Sequence, residues 1–391
     1  MIARGRTPLG WIQLTHHKGR FAVAIAGVAF AVILVFMQLG FMNMLFDTTV
    51  MLHKQLDADI VLTSTKVRDM TSTGTFPRRR LMQALGVEGV ADGEALYASL
   101  VEWVKPVGAK RGERGQMLMF GVRPDVRAFK DPEIAAGQPS LAVTGTVLFD
   151  RGARGDYARL IQAVQLRERP TAEIGGRAAT IEGLITVGSA FSMEGVIVAS
   201  EDTFFTFAPK RSPQTPSLGL IRVAPGQDPE VVARRINAVI GESGDTQALT
   251  VPQFIAHSRS YIAKESPIST VFAFGAVIGL IVGTVVVVQI LTTDVQDHMP
   301  EYATFKAMGF TGRYLLGVVL EQSVILSVCG FVPGLVVALG LYEAIRQILS
   351  MPIAMPLDRV ATVFGLACGM CLLSGTIAMQ RVRRADPAEV F

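Results

Sequence analysis

Four stretches of this chain carry no charged residue for 21 positions or more: 21–46, 266–293, 322–342 and 360–380. The third is preceded by the apolar run 314–320, with Glu321 the only interruption, so it reads as one segment, 314–342. About 20 helical residues cross a hydrocarbon core of roughly 30 Å, so each stretch is long enough to span a membrane. The first exceeds a signal-peptide core, and no small-residue cleavage site follows closely, so it reads as a retained anchor.

Between the first two spans the pattern changes. Alternating or β-branched runs at 59–65, 116–122, 141–149, 179–187, 195–199 and 217–223 predict strands. Helical periodicity appears at 78–85, 156–166, 228–240 and 252–264. In the third of these, Asp228 suits the cap and Pro229 the first turn. The expected architecture is an α-helical membrane protein with four transmembrane helices and a large mixed α+β domain, 47–265, between the first and second. Two lobes are possible there, with a break near 131–140 or 208–217. The first and last parts of the domain read as stalk helices continuous, or nearly so, with the neighbouring spans.

Charge orients the spans. Residues 1–20 contain Arg4, Arg6, Lys18 and Arg20 and no acid, and the tail 381–391 opens with Arg381, Arg383 and Arg384. The positive-inside rule puts both ends in the cytoplasm, and four spans satisfy that parity. Segment 47–265 and the short loop 343–359 then lie outside, and 294–313 inside, although this last segment has more acids than bases. Composition agrees: 50% of residues are hydrophobic and only 18% charged, with net charge +4. That charge content is below the quarter usual in soluble domains, and the apolar content excludes disorder. Cys329, Cys368 and Cys371 all fall within spans, so the exterior domain must fold without a disulfide. The Cys368/Cys371 spacing reads as packing rather than metal or redox chemistry.

Candidate chemistry is sparse. There is no phosphate-binding G-x-x-x-x-G-K-[ST], no H-E-x-x-H, and the five histidines are scattered. Nothing supports an enzyme, a bound cofactor, a metal or nucleic acid. Gly275, Gly279 and Gly283 form a ladder at four-residue spacing, and Gly330 with Gly334 repeats it once; such glycines let another helix approach closely, within the subunit or between subunits. Gly365 and Gly369 have the same spacing. Glu321 is expected in a polar or interfacial setting, with a functional role as the alternative. Residues 1–20 contain an amphipathic helix at the membrane interface, anchored by Trp11 and Ile12. In 294–313, Pro300 opens a helix, Glu301 fits its first turn, and Phe305, Met308 and Phe310 form an apolar knob ended by Gly309. This element either binds a partner or folds back on the membrane underside.

The sequence Glu301, Lys306, Ala307, Met308, Gly309 (E-x-x-x-x-K-A-x-G), placed in a first-span, exterior-domain, three-span layout, resembles the MacB/FtsX-like (type VII) ABC permeases. PLGWIQLTHHKGRF and the stretch FMQLGF at 36–41 resemble more narrowly the DevC-like permeases of cyanobacterial DevBCA glycolipid exporters. The acidic, proline-containing DVQDHMP before Glu301 departs from the basic residues common there. The resemblance implies a bacterial inner-membrane homodimer, with 47–265 in the periplasm. It implies a cytoplasmic ABC ATPase (DevA-like), which binds ATP and Mg and receives Glu301, Phe305, Lys306, Met308 and Gly309. It also implies a periplasmic adaptor (DevB-like) and, through it, a TolC-like outer-membrane channel. Function would be export of glycolipid or another hydrophobic cargo by mechanotransmission. The alternative is an FtsX-type scaffold that regulates a periplasmic partner.

Overall fold

The computed structural model describes residues 9–72, 74–106, 112–190, 192–241, 244–349 and 353–384. Arg4, Arg6, the tail 385–391 and the side chains of Lys306, Arg381, Arg383 and Arg384 lie outside what is described. The chain divides into a unit of Met1–Asn43, Pro267–Arg346 and Ile353–Phe391, and a unit of Met44–Ser266 with Gln347–Pro352. It begins with helix α1 (Leu9–His16) and helix α2 (Lys18–Gln55).

The exterior unit is α+β. Strand β1 (Ile60–Ser64) is followed by α3 (Arg78–Leu85), the 15-residue strand β2 (Val90–Val104) and β3 (Arg114–Val122). Next come α4 (Pro132–Gly137), a 3₁₀ turn (Gln138–Ala142), β4 (Thr146–Asp150), α5 (Ala158–Gln165), β5 (Thr171–Ile174) and β6 (Arg177–Ile185). The unit ends with β7 (Val196–Ser200), α6 (Glu201–Phe207), β8 (Leu218–Val223), α7 (Pro229–Ile240), β9 (Thr246–Thr250) and α8 (Val251–Lys264).

Two sheets share β2. Its first half pairs antiparallel with β8, as in Leu96 opposite Leu218, and continues through β1 to β9. Its second half pairs with β3, and the order β3–β7–β4–β6–β5 returns to β2 at Trp103 and Val104, closing a ring of six strands. The chain therefore changes sheets within β2, between Leu96 and Tyr97. It returns near 208–217, where Ser217 bonds to both backbone groups of Ala98. The stretch 131–140 lies inside the ring's excursion.

Strand alternation gives each sheet two apolar faces. Ile60, Leu62 and Ile221 pack with Leu81 of α3 and Val232 and Ile236 of α7; Val61, Leu218 and Leu220 pack with Phe254 of α8 and Leu52 and Leu56 of α2. Inside the ring, Trp103 stacks on Phe149 at 5.1 Å. The Asp228 side chain caps α7 by accepting from the Glu230 N–H, with Pro229 in the first turn. Thr250 and Gln253 form a reciprocal capping box on α8.

One expectation is corrected. Residues 141–149 are not a continuous strand: the 3₁₀ turn ends at Ala142, Gly145 sits at φ +86°, and β4 begins at Thr146. Thr146 Oγ1 donates to the Ser140 and Val143 carbonyls, which turns the backbone before the strand starts.

The remaining helices are α9 (Pro267–Asp297), α10 (Met299–Ala307), α11 (Gly312–Leu349) and α12 (Leu357–Arg384). Helices α2, α9, α11 and α12 are long and apolar enough to cross a membrane. Four such helices, with a large α+β domain between the first and second of them in sequence, make this a multi-pass inner-membrane protein with that domain in the periplasm.

Candidate functional site

Helix α10 has nine residues, too few to hold its shape alone in water. Three local features fix it. Glu301 lies in its first turn, where a carboxylate meets the positive end of the helix dipole. At the other end Gly309 takes φ +90° and the Phe310 N–H bonds the Phe305 carbonyl at 3.0 Å. That six-to-one bond is the Schellman stop, and its usual apolar contact is present as Phe305 against Phe310 at 5.7 Å. Tyr302, only 3% exposed, anchors the middle among Val295, Leu315, Val319 and Met379.

The sequence-nominated residues of 301–310 thus separate. Phe305 is half-buried and packs on Phe310 and Tyr314. Met308 lies past the helix end and is 60% exposed, and Phe310 is 36% exposed. Glu301 is exposed, and accepts a hydrogen bond from Gln13 Nε2 at 3.1 Å. Lys306 is in the last turn.

Helix α1 buries Gly10, Gln13 and Leu14 and turns Trp11 and Ile12 outward, at 44% and 52% exposure. Trp11 meets Phe21 edge-on at 6.2 Å. The residues beneath α1 went unnoticed in the sequence: Gln13, Gln322 and Asp294 are all buried, and Gln322 Nε2 donates to both of the others. A buried acid at the end of a long apolar helix was the available signal, because Asp294 was visible only as loop charge. Glu321 is half-buried beside them, and a Cβ on Gly10 would come within 3.3 Å of its Cγ.

Each glycine of the ladder faces α2 of the same chain. A Cβ on Gly275 would lie 2.5 Å from the Gln38 amide, one on Gly279 3.3 Å from Leu34 Cβ, and one on Gly283 2.5 Å from Ala31 Cβ. The α2 positions descend as those of α9 ascend, the register of an antiparallel pair, and Gly27 extends it with Val286 at 2.7 Å. Gly330 and Gly334 meet Val28 and Val32 at 2.5 and 2.9 Å, in parallel register, whereas Gly365 and Gly369 have nothing within 4 Å. Cys371 is buried among the membrane helices, and the three thiols are unpaired.

Among the described residues of the exterior domain two acids are buried. Asp150 accepts backbone N–H bonds from Gly152, Val187 and Gly188 at 2.7–2.9 Å. Glu94 is 5% exposed, and both its carboxylate oxygens lack a hydrogen-bond partner among the described residues. Desolvation pushes its pKa up to about 7, against the opposing pull of Arg222 and Arg123. No group of three metal-ligating side chains occurs among the described residues.

Residues 273–387 match the family model for the FtsX-like permease C-terminal region. The chain is 23% identical over 162 residues to the macrolide export ATP-binding/permease protein MacB of Bdellovibrio bacteriovorus, an alignment spanning 41% of this chain and 25% of that protein. Among solved structures, the periplasmic region of MacB from Actinobacillus actinomycetemcomitans matches 51% of this chain and 91% of its own, at 9% identity and TM-score 0.33. The extracellular domain of the noncanonic ABC-type transporter YknZ from Gram-positive bacteria matches 49% of this chain and 99% of its own, at 12% identity and TM-score 0.30. The match over 273–387 makes the three membrane helices that follow the exterior domain similar to the FtsX-like permease C-terminal region, and the chain spans about a quarter of the length of the curated relative it matches.

Proposed function

We propose that this chain is the non-catalytic permease subunit of an ATP-driven export system. A separate cytoplasmic ABC ATPase of DevA type, which binds ATP and Mg, docks on the segment 301–310. The observation that carries this reading is the FtsX-like match over residues that contain a short helix with an exposed apolar end. Met308 and Phe310 supply the contact, Phe305 supports Phe310 from behind, Gly309 sets the turn, and Glu301 and Lys306 border the contact. A solvent-facing methionine and phenylalanine on so short an element are the kind of apolar anchors that central interface positions use.

The wider assembly follows the DevC resemblance. Two copies form a homodimer, and the glycine-lined contacts with α2 hold the spans of each subunit together. The periplasmic domain moves with ATP turnover and acts on a DevB-type adaptor, and through it on a TolC-like outer-membrane channel. The cargo is glycolipid or another hydrophobic molecule, and Trp11 and Ile12 seat α1 in the lipid interface.

The test is co-purification in detergent with the ATPase and adaptor encoded beside this gene. Met308→Ala with Phe310→Ala should weaken ATPase retention by roughly tenfold or more, as for loss of about 1–2 kcal/mol at a central apolar contact. Membrane insertion and adaptor binding should persist. Full ATPase recovery with normal stimulation of turnover by the double variant would refute the docking assignment.

A further inference from the structure

Gln13 makes three hydrogen bonds to residues far away in sequence. Its Nε2 donates to Glu301 Oε2 at 3.1 Å, and its Oε1 accepts from Tyr302 Oη at 3.3 Å and from Gln322 Nε2 at 3.2 Å. Gln322 Nε2 also donates to Asp294 Oδ2 at 2.9 Å, and His298, four residues on, turns its Nδ1 to the Asp294 carbonyl at 2.8 Å. Gln13, Tyr302, Gln322 and Asp294 are each 8% exposed or less. One amide thus joins α1 to both α10 and α11, and the Gln322 amide extends the connection to α9.

The chemistry selects glutamine. A reversed amide would set its NH₂ against the NH₂ of Gln322 and its oxygen against the Glu301 carboxylate, so the network itself fixes the orientation. Glutamate has the length but no donor for Glu301, and leucine has neither donor nor acceptor. Tyr302 and Gln322 are buried, so loss of Gln13 leaves their polar groups unsatisfied, which costs more than the bonds are worth in water, whereas the exposed Glu301 can turn to solvent. The backbone is shaped for the same contact: a Cβ on Gly10 would lie 3.2 Å from both the Gln322 Cγ and its backbone nitrogen, so glycine lets α1 settle on α11. Neither α1, with eight residues, nor α10, with nine, can hold itself in place.

We propose that Gln13 is a positioning residue for the ATPase-docking segment: through Glu301 and Tyr302 it holds α10 on α11, which makes the amino-terminal helix a working part of the coupling apparatus. The coupling role rests on the docking function assigned above to 301–310; the positioning role does not.

Two measurements separate these roles. In full-length permease in nanodiscs, with Cys329, Cys368 and Cys371 replaced by alanine, spin labels at Met308→Cys and Val336→Cys report the distance between the docking segment and the body of α11. Gln13→Leu should broaden that distribution, as should Gln13→Glu, which sets two carboxylates together. Gln13→Glu with Glu301→Gln swaps donor and acceptor and should restore a narrow distribution. In unlabelled permease with its ATPase, Gln13→Leu should lower stimulated turnover by about tenfold, the scale of a disrupted buried polar network, and the swapped pair should recover most of it. A distribution unchanged by Gln13→Leu overturns the positioning role, as does a swapped pair no better than Gln13→Glu alone. If Gln13→Leu broadens the distribution and Met308→Ala with Phe310→Ala leaves ATPase retention intact, Gln13 still positions α10 and the docking assignment is what fails.

Discussion

Replacing Glu94 by glutamine should stabilise the protein at alkaline pH and leave its stability at acid pH nearly unchanged. The carboxylate sits on β2 opposite Leu220, 5% exposed, with neither oxygen hydrogen-bonded among the described residues. The nearby arginines are committed elsewhere: Arg222 Nε bonds Asp92 at 2.7 Å and Arg123 pairs with Asp125. Burial therefore dominates and raises the pKa from 4.5 to about 7. The unfolded chain releases this proton near pH 4.5 and the folded chain only near 7, so stability falls as pH rises through that window and is level above it. At about 1.4 kcal/mol per unit the full shift corresponds to roughly 3 kcal/mol, and residual solvent screening brings it to about 2–3.

Glutamine keeps the shape and the unmet hydrogen-bonding need of the protonated acid, so it removes the pH-dependent part alone. Thermal unfolding of the full chain in detergent, followed from pH 4.5 to 8.5, is the assay. For a domain of this size about 2–3 kcal/mol corresponds to a midpoint difference of roughly 5–10 °C above pH 7. The difference should shrink towards zero near pH 4.5. Parallel profiles for the two proteins would show that Glu94 is ionised and partnered in the folded state, and the reasoning would fail.

In the membrane, Gly283→Leu should lower the unfolding midpoint of the detergent-solubilised chain, because its first side-chain carbon would already lie 2.5 Å from Ala31 Cβ and from Met370 Sδ; overpacking of this kind costs about 1–3 kcal/mol. Gly369→Leu, with nothing within 4 Å, is the matched comparison, and equal effects would remove the steric argument. At the end of α10, Gly309→Val forces a β-branched residue to φ +90°, at a cost of about 1–2 kcal/mol. It should reduce stimulation of the partner ATPase while the chain still inserts, and unaltered stimulation would separate the Schellman stop from coupling.

What could be read in advance follows from how each element is held. The four spans were legible because lipid demands an unbroken apolar surface, and α7 because Asp228 and Pro229 mark its start chemically. Strand β2 was missed although it is the longest of the strands described. Its first half, Val-Ala-Asp-Gly-Glu-Ala, has poor strand propensity and is extended because β8 pairs along it. The 141–149 run misled for the opposite reason: its apolar residues resemble a strand, but Thr146 and Gly145 turn the backbone between them. At the candidate site, Glu301, Met308 and Gly309 carried local signals. Gln13 did not, since a single glutamine in an apolar helix has no period, and its partner Gln322 lies 309 residues away.

In the membrane unit the long helices rely mainly on close packing, with single bonds such as Tyr342 Oη to the Phe36 carbonyl and Ser374 Oγ to the Thr284 carbonyl. A connected polar network surrounds the two short helices instead, and lipid physics explains the difference. Hydrocarbon gives helices no hydrophobic reason to associate, so contact must come from van der Waals fit, which glycine permits by bringing backbones together. Those glycines lie on α9 and α11 and converge on one helix, α2, in antiparallel and parallel register respectively. Long helices can afford this mode because their own hydrogen bonds make them persistent. The two short helices α1 and α10 cannot, and around them the buried side-chain hydrogen bonds of Gln13, Tyr302, Asp294 and Gln322 are gathered. Steric fit tolerates small sliding of one long helix along another, whereas the Gln13 amide meets its three partners in one orientation. If 301–310 docks a moving ATPase as proposed, a helix presenting Met308 and Phe310 to it is better fixed by polar bonds than by apolar contact alone.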